Sequence, residues 1–164
     1  MPSSFFKSLG FANKSAPDAL SGSITIAHPA DALYDLWRKP ETLPVLMSHF
    51  ATITILNQTD SLWRANTPLG SLLEWRARIV EEKPGEAMHW RSLPGALVPN
   101  EGRLTFSPAP NGEVTVTLWI RFTPPGGLIG RKVGQLFTLF SRDMLEQTLE
   151  RFKKMADEQG LPST

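Results

Sequence analysis

The three histidines are the first residues to test for chemistry, because an imidazole can bind a metal or transfer a proton near neutral pH. His28, His49 and His89 lie in separate parts of the chain and lack the paired spacing of metal ligands. The chain has no cysteine, which excludes disulfides, thiolate catalysis and cysteine-bound zinc. We therefore predict no metal and no cofactor. His49 is a weak candidate for a general acid or base, and a core or helix-capping histidine is the favoured alternative there.

Motifs for a nucleophile or a phosphate are missing as well. No Gly-x-Ser-x-Gly sequence is present, so a hydrolase triad has no recognisable nucleophile. Gly126, Gly127 and Gly130 lack the lysine and the hydroxyl residue of a phosphate-binding loop, and we interpret them as part of a turn. A non-catalytic protein is therefore the favoured interpretation.

The composition is that of a single globular domain. The chain has 164 residues, of which 41% are hydrophobic and 20% are charged, and its net charge is +1. Such a balance gives no basis for a nucleic-acid partner. No apolar run approaches the roughly 20 residues that span a bilayer, and the N-terminal sequence does not have the apolar stretch of a secretory signal. We predict a cytoplasmic protein with no transmembrane segment.

Period-two alternation dominates the middle of the chain and predicts β-strands. In the longest strand, Leu73, Trp75 and Ala77 alternate with Glu74 and Arg76, which gives the sheet one apolar and one charged face. Short turns join most successive segments, so these neighbours must be antiparallel. The predicted strands are residues 21–28, 51–58, 62–66, 71–82, 87–92, 102–107 and 113–123, and the predicted helices 30–38 and 41–47 lie between the first two strands.

A helical pattern marks the C-terminal part of the chain. Apolar residues at spacings of three and four run from Ile129 to Ala156 and predict one long helix over residues 130–160. At 1.5 Å per residue, such a helix is about 45 Å long. The apolar stripe drifts near Ser141, so either the helix bends there or the surface beneath it twists.

Five motifs, together with the order of elements, resemble the polyketide cyclase/dehydrase branch of the START-like, or SRPBCC, superfamily. The resemblance extends over about residues 21–158. Its most specific parts are the Trp-Arg-Ser strand and the Pro-Pro-Gly-Gly stretch. The motifs are LEWRARI at 73–79, HWRS at 89–92, GRLTF at 102–106, FTPPGG at 122–127 and RFK at 151–153.

The resemblance implies an α+β helix-grip fold, as in Bet v 1-like proteins. This fold has a seven-stranded antiparallel sheet around a long C-terminal helix, two short helices between strands 1 and 2, and a cavity between sheet and helix. Residues 1–19 are then an N-terminal arm, and residues 20–160 form a single domain. Members of the superfamily bind lipids, sterols and polyketides, and some are aromatase/cyclases. Fold follows more directly from such a resemblance than function does.

An apolar cavity between sheet and helix would be walled by large side chains from both. The alternative, weighted equally, is that these side chains simply fill the core. His49, Asn100 and Glu101 are polar groups placed to reach the cavity and to orient a carbonyl or hydroxyl of a ligand. The predicted ligand-binding residues are Trp63, Trp75, Trp90, Ser92, Leu104, Phe106, Leu118, Phe137, Phe140 and Met144.

Three functions remain open for such a fold. The first is binding, and with it transport, of a small hydrophobic molecule such as a lipid or a polyketide-like compound. The second is a polyketide cyclase/dehydrase reaction, and the third is a non-catalytic interaction module. A dry apolar cavity favours the first, two or more ionisable groups converging in the cavity favour the second, and a filled core with an exposed aromatic patch favours the third.

Trp119 breaks the polar pattern of the outer face, because it lies on the opposite parity from Leu118 and Ile120. We hypothesise that it lies on the convex face and is covered by Phe5 or Phe6, since the first and last strands are neighbours in this fold. A homodimer contact or a weak membrane-surface contact through Phe5, Phe6 and Trp119 is the alternative.

Overall fold

A computed structural model describes residues 19–66, 72–123 and 141–164. These residues form β1 (Ala19–Ile26), α1 (Ala30–Arg38), α2 (Thr42–Leu46), β2 (Ala51–Ile55), β3 (Asp60–Asn66), β4 (Leu72–Lys83), β5 (Ala87–Ser92), β6 (Asn100–Pro108), β7 (Val114–Phe122) and α3 (Arg142–Glu158). The strands form one seven-stranded antiparallel sheet in the order β1-β7-β6-β5-β4-β3-β2. The expected α+β helix-grip fold is confirmed. The division into an arm and a domain stays a prediction, because residues 1–18 lie outside the described residues.

The first strand pairs with the last, so both ends of the sheet-forming sequence lie side by side. In β1, Ser21 is opposite Trp119 of β7, and Ile26 is opposite Val114. The next strand in sequence, β2, forms the other edge of the sheet, and α1 and α2 connect the two edges. The connection therefore has to pass over the sheet.

α1 packs an apolar stripe against the inner face of the sheet. Leu33, Tyr34, Leu36 and Trp37 are buried, at the spacings of three and four that place them on one side of a helix. The ring of Tyr34 meets the ring of Phe106 of β6 edge to face, with 6.0 Å between centroids. α1 thereby covers one end of the sheet.

The C-terminal helix is shorter than the sequence pattern predicted. Ser141 has extended backbone angles, φ −91° and ψ 165°, and its hydroxyl accepts the backbone N–H of Met144 as an N-cap. Because α3 begins at Arg142, one continuous helix over residues 130–160 is wrong. The 17 residues of α3 make a helix of about 25 Å instead of about 45 Å. Residues 124–140 lie outside the described residues.

α3 packs its apolar stripe against β1 and α1. Gly22 of β1 faces the helix, and a Cβ atom there would lie 3.4 Å from Cδ1 of Leu149, which is an ordinary contact distance. Phe152 is fully buried and meets the ring of Trp37 at 80°, with 5.2 Å between centroids. The buried residues of α3 are Met144, Leu145, Thr148, Leu149, Phe152 and Ala156.

His28 fastens the C-terminal tail to the start of α1. Its Nδ1 lies 2.8 Å from the carbonyl oxygen of Pro162, and its Nε2 lies 2.9 Å from a carboxylate oxygen of Asp157. Both partners are acceptors, so the doubly protonated imidazolium satisfies both contacts. The Pro162 carbonyl is the largest influence on the pKa of His28, and together with Asp157 it raises that pKa above 6.5 although burial opposes the shift.

Substitution His28→Gln should therefore destabilise the protein in a pH-dependent way. A folded-state pKa above the unfolded value means that the contribution of His28 is fully present below the unfolded pKa of 6.5 and is lost as the pH rises through the folded value. In urea titrations, the gap between the midpoints of wild type and variant should be widest near about pH 5.5 and narrow toward about pH 8.5. Lys154→Gln, at a site whose side chain is 78% exposed, is the control and should show no such pH-dependent gap. A gap that does not change with pH would contradict this account.

Candidate ligand cavity

A cavity of about 140 Å³ lies between the two short helices and the middle strands of the sheet. Its floor is the inner face of β3, β4 and β5, where the alternation of the sequence points apolar side chains away from the charged outer face. α1 and α2 supply the opposite wall. The apolar lining residues are Trp37, Leu43, Ile55, Trp63, Ala77, Ile79, Met88 and Trp90.

Trp63 is held in position from two directions. Its ring stacks on that of its cross-strand neighbour Trp75, with 5.6 Å between centroids and 21° between planes. Its indole N–H donates to the hydroxyl of Ser61 at 2.9 Å. The polar group of Trp63 is therefore already satisfied, and a ligand in the cavity meets an apolar ring.

Trp90 depends on a glycine in the neighbouring strand. Gly102 of β6 lies directly opposite Trp90, and a Cβ atom on Gly102 would lie 2.2 Å from both Cε2 and Cζ2 of the indole. The ring can therefore lie across β6 only because residue 102 has no side chain. Gly102 sets the position of one wall of the cavity.

Charged groups at the mouth of the cavity are paired with one another. The guanidinium of Arg78 donates to both carboxylate oxygens of Asp60, each at 2.8 Å. These hydrogen bonds are the largest influence on the pKa of Asp60 and lower it to about 2. Asp60 is buried, whereas the Arg78 side chain is half-exposed. The cavity mouth therefore has a permanent ion pair whose charges already neutralise each other.

A β-bulge brings an acidic residue to the same end of the sheet. The pairing of β4 with β5 shifts between Ile79 and Glu81, so that Glu82 lies opposite Met88 and joins the inner face. There Glu82 accepts a hydrogen bond from the hydroxyl of Tyr34 and pairs with Arg38, whose Nε lies 3.1 Å from a carboxylate oxygen. Burial, and then the hydrogen bond to Glu82, raise the pKa of Tyr34.

The predicted apolar ligand-binding residues divide into four groups. Trp63 and Trp90 line the cavity. Trp75 lies behind Trp63 and borders a separate void of about 10 Å³. Phe137 and Phe140 lie outside the described residues. The remaining apolar members are buried in the packed core at 6% exposure or less, namely Leu104, Phe106, Leu118 and Met144.

The polar candidates are not brought together in the cavity. The hydroxyl of Ser92 accepts the backbone N–H of Asn100 at 2.9 Å and so fastens the loop between β5 and β6. His49 is exposed and is not among the residues that line the cavity; desolvation, followed by the charge of Arg151, lowers its pKa. Glu101 lies on the outer face, 2.8 Å from His89.

Among the described residues, no group of three or more His, Cys, Asp or Glu side chains could hold a metal ion. No helix in those residues is long and apolar enough to cross a membrane.

A family model matches most of the chain, over residues 26–149. The match is to the family described as polyketide cyclase/dehydrase and lipid transport. The chain belongs to this family. The resemblance predicted from the sequence motifs is confirmed. The sequence predicted a cavity between sheet and C-terminal helix, whereas the cavity described above lies against the two short helices, and no residue of α3 lines it. No curated protein matches the chain.

Solved structures similar to the chain include two bacterial proteins and an aromatase/cyclase. A Deinococcus radiodurans protein is 31% identical, with a TM-score of 0.65, and the match covers 87% of this chain and 99% of that one. A Thermus thermophilus protein is 17% identical, with a TM-score of 0.70 and coverage of 87% and 99%. The di-domain aromatase/cyclase StfQ of the steffimycin biosynthetic pathway is 18% identical, with a TM-score of 0.58 and coverage of 87% and 51%. The last two show likeness of fold.

Proposed function

We propose that this family member binds, and carries, a small hydrophobic molecule in the cavity between the middle strands and the two short helices. The observation that carries the proposal is the cavity itself, whose walls include the three indole rings of Trp37, Trp63 and Trp90. Large aromatic side chains usually fill a core, whereas here they surround a space of about 140 Å³. The ligand-binding residues are then Trp63 and Trp90, with Trp37 opposite.

The paired charges indicate that the ligand is uncharged. A charged ligand would need an unpaired opposite charge in the cavity, because burial of an isolated charge is costly. Arg78 is bound to Asp60, and Arg38 is bound to Glu82. Lys39 borders the cavity but is exposed to solvent. Flat indole walls favour a planar ring system, which can stack on them.

Non-catalytic binding is favoured over a cyclase/dehydrase reaction. Such a reaction needs a general acid or base within hydrogen-bond reach of the substrate. The best sequence candidate, His49, is exposed and is not among the lining residues. The ionisable groups Asp60 and Glu82 are each held in an ion pair. A carrier needs none of these groups to be free.

Filling the cavity should weaken binding while leaving the fold intact. Ala77 lies on the cavity floor and is buried, so the added side chain of Ala77→Leu should occupy ligand space. Isothermal titration should detect binding of 2-naphthol, a neutral planar probe, to wild type, and at least about tenfold weaker binding to Ala77→Leu. The control is Ala27→Leu, which makes the same change at an exposed site and should bind like wild type.

The charged analogue 2-naphthoate tests separately whether the cavity binds a ligand and whether that ligand is uncharged. It should bind at least about tenfold more weakly than 2-naphthol, because Arg38 and Arg78 at the cavity are already bound to carboxylates and Lys39 is exposed to solvent. Equal binding of the two probes would contradict the uncharged-ligand proposal alone. Failure of wild type to bind either probe, together with native mass spectra showing no co-purified small molecule, would overturn the proposed function.

A further inference from the structure

Trp119 is buried on the side of the sheet that faces away from the core. Its neighbours Leu118 and Ile120 point inward, so Trp119 lies on the outer face as expected, yet it is only 9% exposed. The guanidinium carbons of Arg103 and Arg121 lie 4.7 and 5.9 Å from its ring centroid. The two guanidinium groups lie over the indole ring and cover part of it, and we infer that the rest of the near-complete burial comes from a further layer.

An ionic network beside Trp119 is buried in the same way. Nε2 of His89 lies 2.8 Å from one carboxylate oxygen of Glu101, and the guanidinium of Arg121 lies 2.6 Å from the other. His89 is 3% exposed, and its Nδ1 has no hydrogen-bond partner in the described part of the chain. Charged side chains on an open sheet face are normally solvated. The low exposure of these side chains indicates that this part of the outer face is covered.

A groove of about 870 Å³ lies over outer-face residues of β1, β7 and β6 and continues round the end of the sheet as far as Pro29 and Thr164. Small hydroxyl side chains line it, among them Ser23 and Thr117, whose hydroxyl groups are hydrogen-bonded to each other at 2.8 Å. Thr105 and Trp119 also line it. We call this surface the outer groove. It is large enough to accept several side chains of a peptide segment.

The N-terminal segment, residues 1–18, ends beside the outer groove. Its successor Ala19 pairs with Arg121 in β7. An extended chain spans about 3.3 Å per residue, so the part from Phe11 to Ala19 reaches roughly 26 Å. The strand from Trp119 to Val114 is only about 17 Å long. If the chain turns back just before β1, the segment is long enough to reach the full length of the groove.

The segment carries the apolar side chains that such a groove would accept. Phe5, Phe6, Leu9 and Phe11 occur within a stretch otherwise made of small and polar residues. Phenylalanine rings packed on an indole are a favourable aromatic contact and would account for the layer over Trp119. Pro17 lies just before β1 and favours the turn that such a path requires.

We propose that residues 1–18 fold back along the outer groove and cover Trp119 with Phe5 or Phe6. The burial of Trp119 is present in a single copy of the chain, which favours the chain's own segment over a second copy. The covalent link also gives the segment a high effective concentration at the groove. The outer groove is then an intramolecular docking site that shields Trp119 and the His89–Glu101–Arg121 network from solvent.

Introduced cysteines test the docking, because the chain has none of its own. A Ser8→Cys/Ser23→Cys variant should form an intramolecular cross-link with a short bismaleimide. A Ser8→Cys/Thr54→Cys variant should not, since Thr54 is an exposed residue of β2 at the opposite edge of the sheet. Equal cross-linking of both variants would overturn the proposal.

A labelling experiment identifies the residues that hold the segment. Thiol labelling of Thr117→Cys should become at least about tenfold faster when Phe5→Ser and Phe6→Ser are added. An unchanged labelling rate would overturn the role of the two rings. Cross-linking between separate Ser8→Cys and Ser23→Cys chains would assign the groove to a second copy instead. Binding of wild type to phosphatidylcholine/phosphatidylserine vesicles, lost in the Phe5→Ser/Phe6→Ser variant, would assign the segment to a membrane surface.

Discussion

Replacement of Phe152 by alanine is expected to lower the free energy of unfolding by about 3–5 kcal/mol, as for other fully buried aromatic residues. Phe152 is 0% exposed and meets Trp37 edge to face at 5.2 Å, so it joins α3 to α1. The space left by its ring cannot be refilled without moving both helices. Because Trp37 also lines the cavity, the variant should bind 2-naphthol more weakly as well. Urea unfolding and isothermal titration measure the two effects.

Two controls separate the loss of packing from a general effect of mutating α3. Phe152→Leu keeps most of the apolar volume and should cost less than about 1.5 kcal/mol. Lys154→Ala removes a side chain that is 78% exposed and should change stability by less than about 0.5 kcal/mol. If Phe152→Ala were as stable as wild type, the packing of α3 against α1 would be wrong.

Replacement of Gly102 by alanine is expected to displace Trp90 and to impair ligand binding. The new methyl group would lie 2.2 Å from two ring carbons of Trp90, so the ring must turn away from β6. Overpacking of this kind costs about 1–3 kcal/mol of stability. Since Trp90 is a wall of the cavity, affinity for 2-naphthol should fall at least about tenfold. Near-ultraviolet circular dichroism should report the altered indole environment.

The matched control is Gly22→Ala, another glycine within a strand. A Cβ atom on Gly22 would lie 3.4 Å from Leu149, which is ordinary contact, so affinity should be unchanged. A double-mutant cycle with Trp90→Ala isolates the clash, because the Gly102 substitution should cost little once the ring is absent. Equal affinity of Gly102→Ala and wild type would show that the ring position is not set by residue 102.

The sheet was largely predictable from the sequence because its inner residues alternate with polar ones. The predicted ranges 30–38 and 87–92 coincide with α1 and β5. The long helix was not predictable in full. Period-3.6 spacing of apolar residues continues through Ser141, but spacing alone carries little information about the residue at which a helix begins, and the backbone of Ser141 is extended. The serine itself, followed by the acidic residue Asp143, is the N-cap signal that periodicity alone overlooked.

The aromatic residues that line the cavity could be predicted from the sequence, whereas the position of the charged residue Glu82 could not. Trp63 and Trp90 follow from inward parity in β3 and β5. Strict alternation from Glu74 would place Glu82 on the outer face, because a one-residue bulge reverses parity without changing composition. The adjacent apolar pair Ile79-Val80 interrupts the alternation and was the available signal. The partners of Glu82 come from α1, and only the folded arrangement shows which helical side chains meet a given strand.

The pairing of the first strand with the last has a consequence for synthesis on the ribosome. Ser23 and Thr117 form a hydrogen bond across 94 positions of sequence. During translation, β1 leaves the exit tunnel with no neighbouring strand and must wait until β7 has been made. The hairpins from β2 to β5, which hold Trp63 and Trp90, can pair locally in the meantime. The nascent chain can therefore form the strand walls of the cavity early, whereas the β1–β7 edge has to wait for the seventh strand.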